Sequence, residues 1–159
     1  MKLVALCMRD QFALIIPIPN KPYFSLPFRI SHRSSSENKE GASIFLFPKH
    51  QERYEQFIKQ DKTHPKDRER QALLYVLAGC QDLGERADLF YDFNDRLIRP
   101  ENFNQVDLTS GTRSLLELAY NLYNNYPCRT VVDLFASLDE LNKQLAVEAI
   151  KIRFGLEQV

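Results

Sequence analysis

The chain has 159 residues, of which 44% are hydrophobic, a length and composition that suit one compact domain with its own core. Basic and acidic side chains balance at 21 each, so no net field steers the whole chain toward nucleic acid or anionic lipid. Cys7, Cys80 and Cys128 are odd in number and widely spaced, which fits neither a disulfide framework nor a zinc-ligand pattern and points to a reducing, cytoplasmic location.

At the N-terminus, Arg9-Asp10 ends the apolar run after six residues, Leu3 to Met8, and no small-residue cleavage site follows, so no export signal is read. No apolar stretch reaches the roughly 18 to 20 residues that cross a bilayer, and a soluble protein with no membrane contact is expected. Residues 1–43 differ in kind from the rest, because Pro17, Pro19, Pro22 and Pro27 fall within eleven positions. Helices do not survive that density of missing donors. Phe12 to Ile18 is apolar, and Phe24, Leu26, Phe28 and Ile30 alternate with polar residues and proline, which predicts an extended arm or edge hairpin. Ser34 to Gly41 reads as a linker, so the expected division is an arm, 1–43, and a helical domain, 44–159. Residues 1–45 carry six basic and three acidic side chains, leaving 15 basic and 18 acidic for the rest.

From Pro48 the spacing turns helical. A helix to about Gln60 turns His50, Tyr54, Phe57 and Ile58 inward and Glu52, Arg53, Glu55 and Lys59 to water. The next opens at Asp67 and is apolar all round from Ala72 to Ala78, as only an enclosed helix is, with Gly79 as its C-terminal cap. Asp82 can cap a short helix with Leu83, Ala87, Phe90 and Tyr91 inward, which Asp92-Phe93-Asn94-Asp95 ends. A long helix follows Thr109 to Thr112, with Leu115, Leu116, Leu118, Ala119, Tyr120, Leu122, Tyr123 and Tyr126 apolar and Ser114, Glu117 and Asn121 polar. Pro127 stops it, and Thr130 caps a short helix from Val131 to about Ala136. Ser137 to Glu140 reads as a capping box for the last helix, whose stripe is Leu138, Leu141, Leu145, Ala149 and Ile152. The expected fold is all-α: a small irregular bundle of five to six helices behind the arm.

Candidate chemistry is sparse. Thr109-Ser110-Gly111-Thr112-Arg113 gathers hydroxyls and a guanidinium at a helix mouth, where amides and the dipole favour an anion; an ordinary N-cap is the simpler reading. His50 can act as acid or base if a carboxylate orients it, but no nucleophile stands beside it in sequence. His50, His32 and His64 lie at no metal-ligand spacing, so neither a metal nor a cofactor is expected. Arg153 lies between two apolar rows of the last helix, a structural polar residue that needs a carboxylate or free carbonyls if buried. The seven tyrosines read as boundary residues with buried rings and wet hydroxyls.

The body from Phe47 to Phe154 resembles a family of small proteins of Gram-positive bacteria and their mobile elements, known only as a domain of unknown function. His50-Gln51-Glu52-Arg53-Tyr54, Leu73-Leu74-Tyr75, Thr109 to Thr112, Leu118 to Asn124 and Ala149 to Phe154 carry the likeness. The resemblance implies no catalytic residues. With no nucleophile, base and oxyanion set in view, the expected function is a non-enzymatic protein-interaction or regulatory module of a bacterial or mobile-element system. The alternatives are a small-anion-binding protein or small enzyme using the Thr109 to Arg113 mouth with His50, and a nucleic-acid-associated protein using the basic arm with Lys62, Lys66, Arg68 and Arg70.

Overall fold

The structure, a computed structural model, describes residues 44–156, and the expected arm, hairpin and linker lie outside that range. Helix α1 (Pro48–Asp61) begins with proline where an amide would have no partner and ends on Lys62 in the left-handed conformation, φ 55°. Its buried face is His50, Arg53, Phe57 and Asp61. Arg53 is thus not on the water face where its charge had placed it. Its Nη1 donates to the carbonyl of Ala78, 3.2 Å away, and its side chain lies where a Cβ at Gly84 would stand.

Helix α2 (Arg68–Gly79) is capped by Asp67, whose carboxylate accepts from the amide of Arg70 at 3.1 Å. Every residue from Ala72 to Gly79 is buried, as the uninterrupted apolar run required. It is the hub of the bundle and packs against α1, α5 (Ser110–Asn124) and α7 (Glu140–Phe154). Gly79 is the last helical residue and not a left-handed cap: the cap is Cys80, with φ −97°. A Cβ at Gly79 would stand 2.3 Å from Cδ1 of Leu145 and 2.9 Å from Cε1 of His50, so glycine lets three elements meet.

The single short helix expected here is two, α3 (Gln81–Glu85) and α4 (Ala87–Phe90), parted at Arg86; Asp82 lies inside α3 and does not cap it, Leu83, Ala87 and Phe90 are buried as expected, and Tyr91 is buried in a strand. The break at Asp92 proves to be a tight hairpin of β1 (Tyr91–Asp92) and β2 (Leu97–Ile98), antiparallel, with Tyr91 opposite Ile98. Asp92 Oδ1 accepts from the amides of Asn94 and Asp95. A 3-10 turn, Pro100–Asn104, leads on to α5, which Thr109 caps and Asn125 closes at φ 59°.

Helix α6 (Val131–Ala136) has the Thr130 cap that its sequence announces. For α7 the cap is Asp139, which accepts from the amide of Asn142 at 2.8 Å, and not Ser137. Ser137 is drawn off by other partners: its hydroxyl donates to Leu134 O and meets Ser114 Oγ at 2.6 Å. The inner stripe of α7 is Leu145, Ala146, Ala149 and Ile152, while Leu141 is 49% exposed. Among the described residues the protein is an all-α bundle of seven helical segments with one two-stranded ribbon.

Candidate functional site

The mouth of α5 is an ordered chain of hydroxyls. Thr109 Oγ1 accepts from the amide of Thr112 at 3.2 Å and donates to Thr112 Oγ1 at 2.9 Å. Thr112 Oγ1 in turn faces Asp82 Oδ2 at 3.5 Å, and the Ser110 carbonyl accepts from Ser114 Oγ. Gly111 admits the Ser137 carbonyl, which would lie 3.1 Å from a Cβ there. Arg113 forms no ion pair among the described residues. An anion at this mouth would gain the α5 dipole and Arg113 but would compete with the Asp82 carboxylate for Thr112.

His50 hydrogen-bonds elsewhere than to this mouth, at the first turn of α1 against α2 between Tyr75 and Gly79. Its Nδ1 accepts from the amide of Leu46 at 3.4 Å, which fixes the other tautomeric proton on Nε2, where it donates to Tyr75 O at 3.2 Å. The ring is fully buried and packs edge-on to Phe45. Burial, reinforced by the nearby Arg53 charge, lowers its pKa to about 4, so the imidazole is neutral at physiological pH.

Arg153 spans helices. Its Nε donates to Leu122 O at 2.7 Å, one of the last free carbonyls of α5, and its Nη2 pairs with Glu69 at 3.0 Å. Both kinds of partner that a half-buried guanidinium requires are present.

The most heavily connected polar side chain is Asp61, which sequence reasoning missed. Its carboxylate has no solvent exposure and accepts from Tyr91 at 2.6 Å, from Thr63 Oγ1, and from Arg96 Nη2 at 3.2 Å, with Arg70 Nε at 4.0 Å. Burial opposes its charge, but these donors outweigh that, and the carboxyl lies below the usual range. Its spacing held the only available signal: His50, Phe57 and Asp61 lie at i, i+7 and i+11 on one stripe of α1. The tyrosines also depart from the expectation. Tyr75, Tyr91 and Tyr120 are fully buried, and their hydroxyls donate to Ile44 O, Asp61 and Phe90 O.

Among the described residues no group of three His, Cys, Asp or Glu side chains could hold a metal, and no helix is long and apolar enough to cross a membrane. Cys80 is buried and Cys128 exposed; both are free, and burial raises both thiols above the ordinary value. The molecule therefore belongs to the class of small helical bundles whose interior polar groups brace the fold. The chain belongs to the DUF6075 family, a family of unknown function whose model matches residues 40–158. No curated protein and no solved structure matches it.

Proposed function

We propose that the chain is a non-enzymatic protein-interaction module of a bacterial or mobile-element system, working in the cytoplasm. The observation that carries this reading is on α6, where Val131 and Val132 stand 66% and 78% exposed in consecutive positions. The interior supports it, since His50, Arg53 and Asp61 spend their polar atoms on the protein's own groups. The bacterial setting rests on the family resemblance, and the cytoplasmic one on the cysteine usage. The test is affinity capture from the host cell with the parent chain and with a Val131→Ser, Val132→Ser double variant of unchanged melting temperature. Retention of a protein by the parent and its loss by the variant supports the reading; equal retention by both, or none, removes it.

A second reading has a small anion at the Thr109 to Arg113 mouth, favoured by the Arg113 guanidinium, which forms no ion pair among the described residues. Phosphate would then raise the melting temperature of the parent more than that of Arg113→Ala, because only a ligand that prefers the folded state stabilises it. An equal rise in both is a general salt effect and removes the site.

A further inference from the structure

The two ends of α7 differ in charge and both expose apolar side chains. At its C-terminal end Phe154 and Leu156 are 62% and 60% exposed. The guanidinium of Arg68 stands beside them, in the space that a Cβ on Gly155 would take. Cations dominate here, and not all are neutralised within the fold. Arg70, Arg96 and Arg153 pair with Asp67, Asp61 and Glu69, whereas Lys62, Lys66 and Arg68 are exposed and form no ion pair among the described residues.

At the other end of α7, about 20 Å away at 1.5 Å per residue, lies the corner between α6 and α7. It exposes Val131, Val132 and Leu141. Asp133, Asp139 and Glu140 lie on the same two helix starts, all exposed and without ion pairs among the described residues; Asp133 accepts from Thr130 and Asp139 caps α7, and Lys143 and Arg113 offset part of their charge. Among the described residues, a chain with no net charge thus carries an excess of positive charge at one end of α7 and a smaller excess of negative charge at the other, each beside apolar side chains of its own.

We propose that two copies of the chain dock head to tail, the Lys62, Lys66, Arg68 and Phe154 end of one against the Val131, Val132 and Glu140 corner of the next. The proposal rests on the interaction reading above and names a second copy as the partner. Opposite charges meet at the rim while Phe154 and Leu156 meet valine and leucine, the arrangement of a polar rim around an apolar centre. The two surfaces are different patches, so the contact is heterologous: each added copy leaves one end of each kind free, and the assembly grows past a dimer, into a ring if the rotation between copies closes and into an open chain if it does not. Only a few apolar side chains meet at each end, and the contact is accordingly weak. It is also sensitive to salt, because the charges are exposed.

Sedimentation velocity of the full chain tests this. The parent should sediment faster as its concentration rises through about 100 µM in low salt, and as a monomer in about 0.5 M salt, where the Debye length falls to a few ångströms. A Lys66→Glu, Phe154→Ser variant loses the basic end and a Val132→Lys, Glu140→Lys variant loses the acidic corner. Each alone should be monomeric while keeping the helical circular dichroism of the parent. Mixed in equal amounts they should form a one-to-one dimer and nothing larger, since each retains the surface the other lacks. A parent that is monomeric at all these concentrations in low salt overturns the proposal, and capture of a foreign protein would then still stand as the interaction reading. A dimer that survives both variants, or a mixture that stays monomeric, overturns it equally.

Discussion

The hydroxyl of Tyr91, at the start of the hairpin, lies 2.6 Å from the carboxylate of Asp61 at the last turn of α1. The same carboxylate takes Arg96 from the far side of the hairpin, and Tyr123 of α5 donates to Arg96 O at 3.1 Å. Asp61 and the Tyr123 hydroxyl together fix the two-stranded ribbon to two helices. Asp61→Asn should destabilise the protein by roughly 2 to 4 kcal/mol, somewhat less than breaking a fully buried pair because Arg96 remains partly exposed. Urea unfolding checks it; a loss below about 1 kcal/mol would show the network to be dispensable.

Arg96 sits at φ 60°, a conformation that costs a side chain about 1 kcal/mol. Replacing it by alanine loses the ion pair and keeps the strain, whereas glycine loses the pair and relieves the strain. Arg96→Gly should therefore be more stable than Arg96→Ala by about 1 kcal/mol, with both below the parent. The reverse order in paired denaturation curves would contradict the strain argument.

Acid sensitivity should begin well above the carboxylate range. His50 is neutral in the fold down to about pH 4, while in the unfolded chain it takes up a proton near pH 6.5. The unfolded state thus binds more protons throughout that window, and stability falls as pH drops through it, by roughly 3 kcal/mol in all. Asp61, with its lowered pKa, adds a further loss only at lower pH, where the unfolded carboxyl protonates first. The stability of His50→Gln, though lower throughout, should change much less between pH 6.5 and 4; a slope equal to that of the parent would assign the acid sensitivity elsewhere.

In the core, Leu74 is fully buried on α2 and Leu118 nearly so on α5. Alanine at either should cost roughly 2 to 5 kcal/mol. Gly79→Ala should also destabilise, by about 1 to 3 kcal/mol, because its methyl would meet Leu145 and His50, although alanine is the better helix former. A Gly79→Ala variant as stable as the parent would mean that α7 can withdraw at no cost.

A fragment beginning at Ala42 keeps Ile44 O, which accepts from Tyr75, and the amide of Leu46, which donates to His50. It also keeps every helix that packs on α2. Such a fragment should fold alone, with a cooperative melt by circular dichroism and a monomer-like elution at low concentration. Loss of the helical signal would assign part of the core to residues 1–41.

The sequence by itself determined the helices of the body and most of their apolar stripes. Runs such as Ala72 to Ala78 can only be enclosed, and Pro48, Asp67, Thr109 and Thr130 carry local signals that act within one turn of chain. The tertiary structure alone decided the fate of polar residues on those stripes. Arg53 and Ser114, read as polar outer positions, and Asp61 are all buried, and their burial depended on what faced them: the Ala78 carbonyl, Ser137 with Arg129, and Tyr91 with Arg96. Ser137 lost its expected capping role to that contact, and Gly79 took a packing role that its own neighbours in sequence did not announce. Caps and periodicity are properties of adjacent residues, whereas satisfying a buried charge or hydroxyl requires a partner from another element, and only the packing of α1, α2, α5, α7 and the hairpin brings that partner within hydrogen-bonding distance.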